Sequence, residues 1–363
     1  VASAPLAAAP DYNPQDEKPK TNIKDADKVP RNENSMPGKY PGRVVQIDNP
    51  DSVVDNKIVD SEAYKMIEKG MLSLTGESNL KKAWRQFVLP GEKIGLKVNP
   101  VAGKSLTTSH AVTKAVIKQL ELAGMQKEDI VIFDRREFQL HDADYTEENY
   151  PGIKIRGTEQ KDKNDSYYGE DGVLYGEKMI DKDWFYSANI TMDYDEYTIP
   201  FMINSGENSY FSKIVTQEVD KIINLPILKN AGATVTNAVK NLAFGVISNT
   251  SRLHSKLWHE TCAEVLAFAP VRDKVVLNIT DGLKGCFDKG PGANPQFFTN
   301  YLTMLFSTDP IAMDRIAHEI VVKKRIEKGI QKEDRPGAAK FLDLAAELKL
   351  GVSDREKIEL IKA

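Results

Sequence analysis

Cysteine is scarce in this chain: its 363 residues hold only Cys262 and Cys286. Two thiols cannot ligate an ordinary four-thiolate iron–sulfur cluster and no C-x-x-C occurs, so no autonomous iron–sulfur cluster is expected. Whether the two cysteines are joined or are separate buried thiols stays open at this level. Long apolar runs are missing too. None reaches the roughly 18 residues that a membrane-crossing helix needs, which argues against a transmembrane segment. Nor does one charge dominate: Lys and Arg number 49 against 53 Asp and Glu, for a formal net charge of −4. Nothing global favours nucleic acid or an anionic membrane, so any affinity for anions must come from a local cluster of cations.

Motifs that would name a chemistry outright are also absent. There is no G-x-S-x-G nucleophile elbow and no G-x-G-x-x-G dinucleotide fingerprint. The stretch "VNPVAGKSLTTSH" echoes a phosphate loop through Gly103-Lys104-Ser105. Such a loop needs a glycine five residues before Gly103. Val98 stands there instead, and Pro100 removes an N–H donor. The strand-loop-helix context still permits looser anion binding.

What is present reads as globular. At 41% hydrophobic and 28% charged, the chain can bury a core as two domains or as one large domain with an insertion. The opening "VASAPLAAAP" is small and uncharged and resembles the surroundings of a signal-peptide cleavage site. A polar, Pro-rich stretch follows, so residues 1–37 are expected to form a flexible arm of an exported protein, periplasmic or in the cell envelope. A merely flexible tail is the alternative.

Residues 38–363 are expected to form one α/β domain. "SEAYKMIEKGMLSLTG" has helical apolar spacing and a terminal glycine. "EKIGLKVN", the helix "HAVTKAVIKQLELAG" and "EDIVIFD" give a strand-helix-strand unit, which argues for parallel pairing. From about 137 to 211, pieces such as "GIKIRG", "GVLYGEKM" and "EYTIPFMI" predict an inserted antiparallel β-rich lobe. The α/β rhythm returns with "VDKIINLPIL", "DKVVLNITDG" and "YLTMLFSTD" as strands. "DPIAMDRIAHEIVVKKRIEKG" is a helix with Asp309 as its cap, and "SDREKIELIKA" reads as a last helical piece. The expected fold class is an open, mostly parallel sheet with helices on both faces.

In such sheets ligands bind beyond the carboxyl ends of the strands, where helix N-termini carry a partial charge of about +0.5. The polar clusters fall at those ends. Candidate ligand-binding residues are Lys97, Asn99, His110, Asp134, Arg135, Lys229, Asn230, Lys240, Asn241 and His254, a set suited to a small anionic or metal-associated ligand. Solvated lysines and ordinary caps are the competing explanation. His259 and Cys262 lie three apart and could share one divalent metal from a helix face. Packing or a disulfide competes with that. Asp314 and His318, four apart on one helix, can touch. No complete acid-base pair is demonstrable, so catalysis is undecided, and a non-catalytic envelope binding protein is the rival reading. Oligomeric state is not legible.

Several phrases together resemble the DUF362 family: "KIGLKVNP", the Ser109-His110 helix start, "IVIFD", "DKIINLPILK", "AVKNLAFG" with His254 downstream, and "STDPIAMD". The resemblance implies an α/β fold and export, and supplies no reaction. Many relatives place a histidine soon after the lysine of the "PILK" phrase. Here Asn230 follows Lys229 instead.

Overall fold

Neighbouring residues along the strands go to opposite sides of one sheet. Val44 joins one apolar core and Val45 the other, and the split recurs at Ile132/Phe133, Ile222/Ile223 and Met304/Leu305. A period of two buried on both sides means a sheet covered on both faces. This is a computed structural model, which describes residues 19–190, 206–232 and 234–363.

The strands in chain order are β1 (Arg43–Asp48), β2 (Val53–Val54), β3 (Lys57–Ile58), β4 (Ile94–Lys97), β5 (Ile130–Arg136), β6 (Lys154–Glu159), β7 (Ile180–Ser187) and β8 (Asn208–Ser212). They continue with β9 (Lys221–Asn224), β10 (Ile227–Ala231), β11 (Thr234–Thr236), β12 (Val275–Cys286), β13 (Phe298–Thr299), β14 (Thr303–Ser307) and β15 (Glu359–Lys362). Eleven form the main sheet, ordered β15-β1-β14-β12-β9-β4-β5-β6, with β10 and β13 paired to β12 and β11 to β10. Pairing is parallel from β12 through β9, β4 and β5 to β6. It is antiparallel where β14 lies between β1 and β12.

Helices α1 (Asp60–Thr75), α2 (Leu80–Arg85) and α3 (His110–Ala123) cover one face, with α4 (Glu137–Asp142) beside β6. The other face carries α5 (Ala238–Ala243), α6 (Ser251–Lys256), α7 (Trp258–Glu264), α8 (Ala269–Arg272), α9 (Pro310–Glu327) and α10 (Lys340–Glu347). Gly76 and Gly124 end α1 and α3 in the left-handed conformation, where the lack of a Cβ removes the steric penalty. Asp309 does cap α9. Its Oδ1 accepts from Ile311 and Ala312, and its Oδ2 from Gly42 and Val352. Burial pushes its pKa up to about 6 while these amides pull it down. Among the described residues no helix is long and apolar enough to cross a membrane.

The structure departs from expectation in four places. "GIKIRG" is not part of an antiparallel lobe; it forms β6, the parallel edge of the main sheet. The antiparallel pairing in that region is β7 with β8, while "GVLYGEKM" ends in a 3-10 turn over Tyr175–Met179. "SDREKIELIKA" is not helical beyond a turn; it ends in β15, which finds unpaired backbone groups on β1. The described part of the N-terminal arm is fastened to the body. The buried Arg272 guanidinium donates to the carbonyls of Ala26, Val29 and Pro30, and Thr21 Oγ1 donates to Glu264 at 2.6 Å. "VASAPLAAAP" and "EYTIPFMI" lie outside the described residues.

Candidate functional site

Lys97 closes β4. Ile94 and Leu96 point to the α1–α3 face, so the alternation turns Lys97 toward α5. Its side chain is fully buried and ion-paired with Asp134 of β5. The ammonium also donates to Asn241 Oδ1 at 3.0 Å and to the Val98 carbonyl at 2.9 Å. Space for it exists because residue 245 is glycine. A Cβ there would sit 2.3 Å from both Lys97 Cε and the Asn241 carbonyl oxygen. Burial pushes the Lys97 pKa down and Asp134 opposes the shift.

A chain of amides continues from this point. Lys229 Nζ donates to Asn99 Oδ1 at 2.7 Å, and Asn99 Nδ2 donates to Asn241 Oδ1 at 3.0 Å. Asn241 Nδ2 donates to Asn224 Oδ1 at 2.8 Å, and Asn224 Nδ2 to Asn278 Oδ1 at 3.0 Å. Asn278 then donates to the Ser307 carbonyl at 3.3 Å. Asn99 and Asn241 turn their amide oxygens to Lys229 and Lys97, while those of Asn224 and Asn278 each accept from the preceding asparagine. Lys229, also fully buried, is therefore held by a neutral dipole and has no carboxylate partner among the described residues. Burial lowers its pKa to about 7, with repulsion from Lys240 the next cause.

The outer edge of the cluster is built around Phe244. Lys240 Nζ lies 5.7 Å from the Phe244 ring centre and 5.9 Å from that of Trp258, and the ammonium has no hydrogen-bond acceptor among the described residues. The side chain is half-buried by exposure, yet enough protein surrounds the ammonium that desolvation lowers its pKa. The His254 ring centre is 4.2 Å from that of Phe244. Its Nδ1 meets the Thr250 carbonyl at 2.9 Å, which requires the proton on Nδ1 and leaves Nε2 as a free lone pair. Burial and then Lys240 push its pKa down to about 3, so the imidazole is neutral. Arg135 donates to the Phe244 carbonyl at 3.4 Å and to Thr250 Oγ1. It shares Glu159 with Arg136.

Residues 185–319 match the family described as a domain of unknown function, DUF362. A solved protein from Thermotoga maritima is similar at 9% identity, with a TM-score of 0.35 over 73% of this chain and 59% of that one. The chain thus spans under two thirds of that protein's length. No curated protein matches. The DUF362 match runs from β7 into α9. It includes Lys229, Lys240, Asn241 and His254, while Lys97, Asn99, Asp134 and Arg135 come from outside it.

Other candidates fall elsewhere. Asn230, next to Lys229, points away from the cluster and spends its amide on the Gly232 and Thr234 carbonyls. His110 uses both ring nitrogens, on Tyr150 Oη at 2.6 Å and the Ala143 carbonyl at 3.0 Å. His259 sits edge-on to Trp258 and stacks on Phe341. Cys262 and Cys286 are free and buried, and among the described residues no group of three or more His, Cys, Asp and Glu could hold a metal. Asp314 and His318 do not pair. Asp314 accepts from Asn237 Nδ2 and the Ala238 and Val239 amides, and His318 meets Thr234 and Asp334. Asn224 and Asn278, absent from the candidates, carry the relay. Their signal was an asparagine within otherwise apolar strand sequence, "KIIN" and "VVLN". The stretch expected to run from strand into helix holds the β10–β11 hairpin before α5 starts.

Proposed function

We propose that this chain binds a small anionic ligand, alone or carrying a metal, at the carboxyl ends of β4, β5, β9 and β10. Lys240 and Arg135 stand outermost, with Lys229 and Lys97 behind them. The observation that carries the reading is a charge imbalance. Lys97, Arg135, Lys229 and Lys240 converge where, among the described residues, Asp134 and Glu159 are the carboxylates paired with them. Cations in excess within a low-dielectric interior repel one another and are costly to desolvate, and a bound anion offsets that cost. A lysine whose pKa lies near neutrality is also suited to proton transfer or to attack on a carbonyl, so Lys229 is the residue through which binding would become catalysis.

The test is native mass spectrometry with elemental analysis of protein purified without chelator, followed by titration with phosphate and with acetate. A bound small molecule or anion lost in Lys240→Ala supports the reading. Equal binding by wild type and Lys240→Ala sinks it. We further propose export to the periplasm or envelope, supported by the small, uncharged stretch at residues 1–10. Cell fractionation of the tagged protein tests this, and recovery in the cytoplasm alone would refute it.

A further inference from the structure

Lys229 and Asn230 are adjacent on β10 and so face opposite sides. Lys229 enters the amide relay; Asn230 lines a cavity of about 410 Å³, within the ~300–1,000 Å³ range of small-molecule sites. We infer that this cavity is a second anion site, for a small dianion that presents phosphate or carboxylate oxygens.

The walls carry Lys289, Arg325 and Arg335 against one acid, Asp288. Asp288 is already committed to Arg325 as an ion pair, which leaves two positive charges in excess. Arg325 is buried, at 3% exposure, and held in place. Its Nε donates to Gln331 Oε1 at 2.7 Å and its Nη1 to the Phe287 carbonyl at 3.3 Å. Its Nη2 has no acceptor among the described residues. Lys289 and Arg335 have no carboxylate partner there either. A fixed guanidinium with one free nitrogen, beside two further cations, suits an oxygen of a phosphate or carboxylate.

The backbone around the cavity is set in advance. Asn230 Nδ2 bonds the Gly232 and Thr234 carbonyls at 2.8 and 3.0 Å, and Gly290 N donates to Asn230 Oδ1 at 3.3 Å. Gly232 and Gly290 line the cavity without side chains. At Gly290 a Cβ would meet the Asn230 carbonyl oxygen at 2.1 Å, so this wall keeps its shape only with glycine. Ile330 is the one large apolar side chain in the lining, which disfavours an apolar ligand.

Calorimetric titration of the intact protein with inorganic phosphate and with succinate tests the assignment. The variants are Lys289→Asn with Arg335→Ala, and separately Lys240→Ala. Both side chains in the double variant are exposed, and asparagine tolerates the positive φ of residue 289, so the fold is kept. A saturable dianion affinity that falls at least about tenfold in the double variant and persists in Lys240→Ala supports the inference. The tighter of the two anions then identifies the headgroup. No saturable binding of either anion, or equal affinity in the double variant, overturns it. Failure of the Lys240 site leaves this result unaffected, since the two sites lie on opposite sides of β10.

Discussion

The two faces of the sheet treat their buried polar residues differently. On the α1–α3 face, His110 has both ring nitrogens occupied, and Tyr145 and Tyr150 stack at 5.4 Å beside it. Tyr145 Oη donates to the Thr108 carbonyl at 2.7 Å. Burial lowers the His110 pKa, and a neutral ring satisfies every neighbour. On the α5 face, Lys229 leans on a neutral amide, Lys240 has aromatic rings for company, and His254 keeps a free lone pair. Both regions begin as a helix start after a strand, so position in the fold does not separate them. Unused bonding capacity does: a satisfied buried network specifies structure, and one with surplus charge has room for a ligand.

The comparison breaks most readily at Asp134. Asp134→Asn leaves Lys97 charged and fully buried without its partner, and stranding one member of a buried pair costs about 3–5 kcal/mol. Urea unfolding should show that loss, and a loss below about 1 kcal/mol would mean that the amides alone hold Lys97.

Lys229 sharpens the contrast through pH. Its folded pKa of about 7 lies below its ordinary value of 10.5. Between those limits the unfolded chain binds the proton that the folded one releases, so stability rises with pH over that window. Below about pH 7 the full penalty of a buried ammonium applies. Lys229→Met should flatten the rise and raise stability near neutrality by an amount readable in denaturant titrations from pH 7 to 10. Asp309 and Asp314, raised to about 6 and about 7, act in the opposite sense. Their contribution is present in acid and is lost as pH climbs through those values, so measurements above pH 7 isolate the lysine.

A smaller effect is expected on the satisfied face. Tyr150→Phe removes the 2.6 Å bond to His110 and should cost about 1–2 kcal/mol, with anion binding unchanged. If binding weakened as well, the two faces would not be independent.

The alternation that splits Ile132 from Phe133 was legible in sequence, as were the glycine stops of α1 and α3 and the Asp309 cap, because each is a local pattern. Lys97, Asn99, Asp134, Lys229, Lys240 and Asn241 were legible as polar residues at strand ends. What escaped depends on neighbours distant in the chain. β15 has helix-favouring Glu, Lys and Leu, yet pairs with β1 some 300 positions away. Asn224 and Asn278 look like strand punctuation until three segments meet. His110 shares its helix-start context with the α5 cluster, and only Tyr150 and Ala143, brought in from the segment after α4, show that it is spent.

The smallest expected effect concerns Lys104, in the stretch that echoes a phosphate loop. Its ammonium meets Asp144 at 2.8 Å, with side chains 67% and 46% exposed, and such pairs contribute about 0–1 kcal/mol. The loop also turns its amides on itself. Gly103 N donates to the Pro100 carbonyl, Leu106 N to Gly103 and Thr108 N to Asn99, whereas a phosphate cradle presents those N–H groups outward. Lys104→Ala should therefore change stability by less than about 0.5 kcal/mol and leave anion affinity intact. A tenfold loss of affinity on that substitution would move the binding ground from α5 to the start of α3, and with it the case for Lys229 and Lys240.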